Sequence, residues 1–219
     1  MKKPEAVLVT GAARRIGRAL SLFLSGRGYA VIGHYHTSAR EAHSLAKEIR
    51  GRGGLFYPLK WNLAAGPEGL MGKCLGFPVR LAGLVNNASV FEKGNLLSLK
   101  RKEWLGILQV NVFSPLTLCA EYYRKAGTGF IINMLDAGAG PFNRDFQIYR
   151  MGKRLLAEMT LECARLFAPK VRVNGIAPGA VLPSKFNRGK TAGSVDEVVK
   201  ACARLIGDPV VTGRILTLK

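Results

Sequence analysis

Acidic residues are scarce in this sequence. Only 14 Asp and Glu stand against 33 Lys and Arg, a formal net charge of +19. A field of that sign draws polyanions and anionic small molecules. The basic residues are dispersed, as in the stretches 100–104 and 188–190, and no basic block, zinc finger or RNA-binding signature accompanies them. An anionic cofactor is therefore the expected target, and a nucleic-acid partner is not expected. Cysteine is also sparse: Cys74, Cys119, Cys163 and Cys202 form no CxxC pair, and no histidine lies at ligand spacing. That excludes a disulfide framework and a zinc site, so no metal is expected. No apolar run approaches the ~20 residues that cross a bilayer. The first one, Ala6 to Val9, stops at Thr10-Gly11 and suits a strand better than a signal peptide. A cytoplasmic protein with no membrane partner is expected. Repeats, low-complexity tracts and linkers are lacking too, which leaves one domain over residues 1–219. Serine is absent between Ser114 and Ser184.

What is present is a globular composition, 48% hydrophobic and 21% charged over 219 residues. Strand-like and helix-like segments alternate along the whole chain. Strands are predicted at 6–10, 29–35, 55–60, 81–85, 130–134, 171–176 and 210–218. Helices are predicted at 14–27, 38–50, 99–125, 146–167 and 195–206, with a weak one in the glycine-rich stretch 66–76. Ser38 with Glu41 three residues on has the form of a capping box. The strands are short and apolar with little alternation, as expected when helices cover both faces. The predicted fold is a single-domain, Rossmann-type, doubly wound parallel sheet of seven strands.

The first strand runs into Thr10-Gly11 and a helix. A pyrophosphate lying on free N–H groups at a helix N-terminus needs such a turn. Gly11 permits the tight turn and Gly17 the close approach of helix and strand. The second strand ends in His34, His36, Thr37 and Ser38 with no acidic residue to grip a ribose 2′-hydroxyl. Together with Arg14 and Arg40 these groups suit a 2′-phosphate, so NADP(H) is favoured over NAD. Two exposed histidines without a ligand role are the alternative.

The chain resembles the short-chain dehydrogenase/reductase family from end to end. The stretch from Thr10 to Gly17 resembles its TGxxxGxG, with Arg15 at the middle glycine. Asn86-Asn87-Ala88-Ser89 resembles its NNAG, and Asn111 lies where the family has a catalytic asparagine. Tyr149 to Lys153 matches YxxxK. Arg172-Val173-Asn174 and Pro178-Gly179 match the stretch that closes over the nicotinamide, and Val211-Thr212-Gly213 resembles its last strand. The nearer resemblance is to pteridine reductases of the dihydromonapterin-reductase type, which implies a pterin substrate. In that branch Arg15 contacts cofactor phosphate and pterin, Asp136 replaces the catalytic serine, Phe91 stacks on the pterin ring, and Ser89 lies near both. The resemblance implies cofactor contacts from Gly11, Arg14, Arg15, Ile16, Gly17, His34, His36, Thr37, Ser38, Asn62, Leu63, Asn87, Ala88, Ser89, Tyr149, Lys153, Pro178 and Gly179. It implies catalysis by Tyr149, Lys153, Asp136 and Asn111, and a homo-oligomer, dimer or tetramer.

Tyr149 and Lys153, at i and i+4, share one helix face. A cation there is expected to favour the phenolate and ease proton transfer. Tyr149 would supply the proton, with Asp136 and a water held near Asn111 in support. Three departures from the family stand out. Asn62 replaces the aspartate that reads adenine. The segment 180–194, where a substrate lid belongs, is short. The sequence closes on Leu216-Thr217-Leu218-Lys219 without an Asp-Gly-Gly tail, from which fewer oligomer contacts are expected. A ketone reductase of the same family, and a nucleotide-binding protein with little turnover, are the alternatives.

Overall fold

The computed structural model describes residues 2–98, 100–139, 143–181 and 193–218. The predicted lid at 180–194 falls largely outside them. Apolar side chains that alternate across each strand sort into two cores, one on either face of a single sheet. On one side, Ala6, Leu8 and Ile32 pack with Leu118, Tyr122 and Phe167. On the other, Val7, Val9 and Val31 pack with Leu20, Leu24, Ile49 and Leu205.

The elements run β1 Glu5–Val9, α1 Arg15–Gly26, β2 Ala30–Tyr35, α2 Ala39–Gly51, β3 Phe56–Lys60, α3 Leu70–Leu75, β4 Arg80–Asn86, α4 Arg101–Leu108, α5 Ser114–Lys125, β5 Gly129–Met134, α6 Gln147–Phe167, β6 Val171–Ala177, α7 Val195–Gly207 and β7 Ile215–Thr217. The strand order is β3-β2-β1-β4-β5-β6-β7, and every pairing is parallel. The chain winds outward from β1 to β3, then returns to place β4 beside β1. That reversal opens a crevice at the C-terminal ends of β1 and β4, where such sheets bind ligands. Among the described residues, no helix is long and apolar enough to cross a membrane.

Three sequence expectations change. The helix expected over 99–125 carries a π turn at Gln109–Phe113 between α4 and α5. Pro115 has no N–H to give to the preceding turn, and the Ser114 N–H reaches back to the Gln109 carbonyl instead. The strand expected over 210–218 shrinks to β7, because the Asp208 carboxylate takes the Val210 and Val211 N–H groups. Ser38 does precede α2, but it makes no side-chain cap, and Glu41 pairs with Arg14 at 3.7 Å. With ψ at 54° rather than extended, the Ser38 backbone does not present its hydroxyl to the first turn.

Candidate active site

The turn after β1 is zipped to the end of β4. Thr10 Oγ1 accepts the N–H groups of Asn87 and Ala88, both at 2.9 Å. Asn87 Nδ2 donates to the carbonyls of Thr10 and Gly11 at 2.9 and 3.1 Å. Gly11 has a φ of +64°, and a Cβ on Gly17 would lie 2.1 Å from the Gly11 carbonyl oxygen. Both glycines are therefore dictated by the turn. Arg15 keeps the left-handed φ of +52° at the family's middle-glycine position. A side chain in that conformation is strained by ~1–2 kcal/mol, which points to a use for the guanidinium. Arg14, at the N-cap of α1, makes no side-chain cap. The first-turn amides of α1, beside Gly11, Arg14, Arg15, Ile16 and Gly17 in the cavity wall, suit a pyrophosphate.

His34 departs from expectation. It is buried, and its Nδ1 accepts the Gly11 N–H at 3.1 Å. Its other nitrogen must then donate to the Trp61 carbonyl, 3.2 Å away. Burial lowers its pKa to about 4, with the charge of His36 adding and the Trp61 carbonyl opposing. His34 is thus a neutral brace under the glycine turn rather than a cation for a 2′-phosphate. His36, Thr37, Ser38 and Arg14 remain on the cavity wall for that task. Asn62 Oδ1 accepts the Ala64 N–H at 3.0 Å, which fixes its amide where Asn62 and Leu63 line the cavity.

The reacting end is carried by β5 and α6. A buried ladder locks these elements together: Asn86 Nδ2 donates to Asn133 Oδ1, and Asn133 Nδ2 to Thr160 Oγ1, each at 2.9 Å. Tyr149 Oη then donates to Asp136 Oδ2 at 2.7 Å, while Oδ1 accepts the Gly138 N–H at 2.6 Å. Asp136 both closes the turn after β5 and faces the phenol. Lys153 Nζ donates to the Met134 carbonyl at 2.8 Å and lies 5.9 Å from the centre of the Tyr149 ring. Burial lowers the Lys153 pKa to about 8, against the pull of Asp136.

The phenol is not biased toward phenolate. Burial first, then the Asp136 charge and hydrogen bond, push Tyr149 well above the ordinary tyrosine range, and Ser89 opposes this weakly. Desolvation and a carboxylate in contact outweigh a lysine that is itself buried. The residue is held as a protonated donor.

Every sequence-predicted site residue except Asn111 and Arg40 lines one cavity of about 940 Å³. These include Ala88, Ser89, Phe91, Pro178 and Gly179. Arg40 lies in a separate depression with Arg18 and Glu41. Asn111 lies behind the wall, in the π turn. Its Oδ1 accepts the Val90 N–H at 2.8 Å and the Ser89 hydroxyl at 3.0 Å, and its Nδ2 donates to the Val90 carbonyl at 2.8 Å. Both polar ends of the amide are engaged by the Ser89–Val90 segment.

Sequence reasoning missed Phe146 and Arg150, which line the same cavity. Phe146 stacks on Phe91 with centroids 4.5 Å apart and planes at 9°, and Tyr149 meets Phe91 edge-on at 4.7 Å. The available signal was the segment before YxxxK, where an aromatic precedes the tyrosine by three residues.

A parallel sheet with its crevice at the β1–β4 switch point, an uncapped glycine turn and a Tyr-Lys pair on one helix face define a dinucleotide-dependent oxidoreductase of the Rossmann type. The short chain dehydrogenase family model matches residues 5–193, and the chain belongs to that family. Among solved structures it resembles FolM alternative dihydrofolate reductase 1 from Brucella suis in complex with NADP. The TM-score is 0.90 at 30% identity, over 98% of this chain and 93% of that one. The same protein from Brucella canis, also complexed with NADP, gives 0.90 at 28% identity, over 98% and 92%. Among curated proteins, 3-oxoacyl-[acyl-carrier-protein] reductase FabG of Staphylococcus aureus (strain Mu50 / ATCC 700699) is 29% identical, over 83% of this chain and 76% of that protein.

Proposed function

We propose that this oxidoreductase uses NADPH to reduce a pterin, a dihydropteridine to a tetrahydropteridine. The observation that carries the reading is the Tyr149–Asp136 hydrogen bond at 2.7 Å beside the Phe91 ring, which meets Tyr149 at 4.7 Å. Arg15, Ser89 and Phe91 line the same cavity, and a flat, polar heterocycle suits such walls. The likeness to FolM alternative dihydrofolate reductase supports this choice.

When bound, NADPH supplies the hydride. Arg14 and the α1 N-terminus would hold its phosphates, His36, Thr37 and Ser38 its 2′-phosphate, and Asn62 and Leu63 its base. Pro178 and Gly179 would cover the nicotinamide. Tyr149 gives its proton to the substrate atom that gains the electron pair. Lys153 steadies the phenolate left behind, and Asp136, whose carboxylate accepts the phenol O–H in this structure, relays to it a proton taken from solvent. Asn111 acts at one remove, by fixing Ser89 and Val90.

The test is NADPH oxidation followed at 340 nm with a 7,8-dihydropterin and with simple ketones. Turnover of the pterin is expected; turnover of ketones alone would overturn the pterin and favour the second reading, a ketoreductase, which the likeness to FabG supports.

A single domain over 1–219 acting as a homo-oligomer in the cytoplasm completes the proposal. Exposed Leu105, Phe113, Met151, Leu155 and Leu166 support association. The four cysteines, all free and buried, suit a reducing compartment.

A further inference from the structure

Arg150 follows the proton donor in sequence and is only 7% exposed. It lines the cavity together with Asp136, Asn143 and Phe146. Its Nη2 donates to the Ala139 carbonyl at 3.0 Å. Its Nε is buried and has no partner. A guanidinium carries five N–H donors in a planar fork, and a buried donor on a cation is costly to leave unmatched. No carboxylate pairs with it among the described residues.

The cavity itself is short of acid. Its described walls carry Arg14, Arg15, Arg150 and Lys153 against one carboxylate, Asp136. Both oxygens of Asp136 are already engaged, by Gly138 and Tyr149. Arg14 and Arg15 flank the α1 N-terminus and face the phosphate end. Lys153 is bonded to the Met134 carbonyl. Among the described residues Arg150 remains as an unneutralised cation at the Tyr149 end of the cavity, where nothing in a neutral nicotinamide calls for one.

We propose that Arg150 binds a carboxylate carried by the substrate, so that the preferred substrates are anionic. The fork geometry matches a carboxylate through two parallel N–H···O bonds. The inference rests on reading the Tyr149 end of the cavity as the substrate end, and not on the pterin ring.

The test uses two matched pairs. The first is 7,8-dihydrofolate, whose tail carries carboxylates, against a 7,8-dihydropterin with a neutral side chain. The second is a β-keto acid against its methyl ester. On the unaltered enzyme the carboxylate member is expected to have the lower KM. That preference should persist from 0.05 to 0.5 M NaCl, because a buried cation is screened far less than the exposed +19 field. Arg150→Gln is expected to raise KM for the carboxylate member at least tenfold relative to its effect on the neutral member, with kcat ratios within about threefold.

Equal effects on both members, or none, would overturn the assignment and leave Arg150 as a brace for Ala139. A preference that vanishes at high salt would overturn it as well. A pterin pair without turnover beside a keto pair that shows the Arg150 effect would sink the pterin reading and keep this one. Where neither pair turns over, calorimetry with dihydrofolate and the neutral dihydropterin on the NADPH-loaded protein decides. Tighter dihydrofolate binding that Arg150→Gln abolishes is expected, and equal binding refutes the proposal. Should Arg150→Gln fail to fold, the salt series and Arg150→Lys carry the test, the lysine restoring part of the preference.

Discussion

Tyr149 Oη donates to Asp136 Oδ2 at 2.7 Å, and the same carboxylate closes the turn after β5 through the Gly138 N–H. The proton donor and the end of a central strand are thus tied through one side chain. A serine at this position would offer a hydroxyl, not a second titratable group. Tyr149→Phe is expected to lower kcat by about 10²–10⁴-fold while NADPH still binds, as read by quenching of protein fluorescence. Asp136→Asn keeps an oxygen for Gly138 and removes the proton carrier. A kcat loss of at least tenfold with an unchanged melting temperature is expected, whereas a lowered melting temperature with normal kcat would make Asp136 a turn residue only.

Lys153 supplies a pH signature. Its folded pKa is lowered to about 8 from 10.5. Between those values the unfolded chain holds the proton and the folded one has lost it. Stability from this group is therefore full above pH 10.5 and is lost as pH falls to about 8, a swing of about 3 kcal/mol. Between about pH 8 and pH 10.5 the unfolding free energy of the native chain, read by denaturant unfolding, should rise by about 3 kcal/mol relative to that of Lys153→Met. In activity, kcat/KM is expected to fall as pH rises through about 8, where the charge beside Tyr149 disappears.

His34 gives the opposite end of the pH range. Its folded pKa is lowered to about 4, so its contribution is full above pH 6.5 and is lost as pH falls toward 4, again a swing of about 3 kcal/mol. The loss strikes the Gly11 turn directly, because the Gly11 N–H needs an unprotonated Nδ1. NADPH affinity should weaken below about pH 5. His34→Asn is expected to bind less tightly at neutral pH and to show a flatter acid profile of both stability and affinity.

Arg15 carries strain that glycine would relieve. Arg15→Gly is expected to leave the melting temperature equal or higher, since φ is +52° there. It should raise the Kd for NADPH and the KM for substrate several-fold if the guanidinium binds both. Unchanged constants in titration and kinetics would show that the side chain is idle.

The sequence by itself determined the alternation of elements, and with it the parallel sheet, because strands covered on both faces must be uniformly apolar. It also determined the glycine turn, since Gly11 and Gly17 occupy positions that a Cβ would strain or block. Tyr149 and Lys153 were legible because a helix brings i and i+4 to one face. Other features depended on contacts between segments far apart in sequence. The role of His34 came from Gly11 and Trp61, that of Asn111 from Ser89 and Val90, and the high pKa of Tyr149 from burial and from Asp136. Local pattern could bring a titratable group to the cavity, but only the tertiary structure decided its solvent and its partners, and these fix whether it holds a proton.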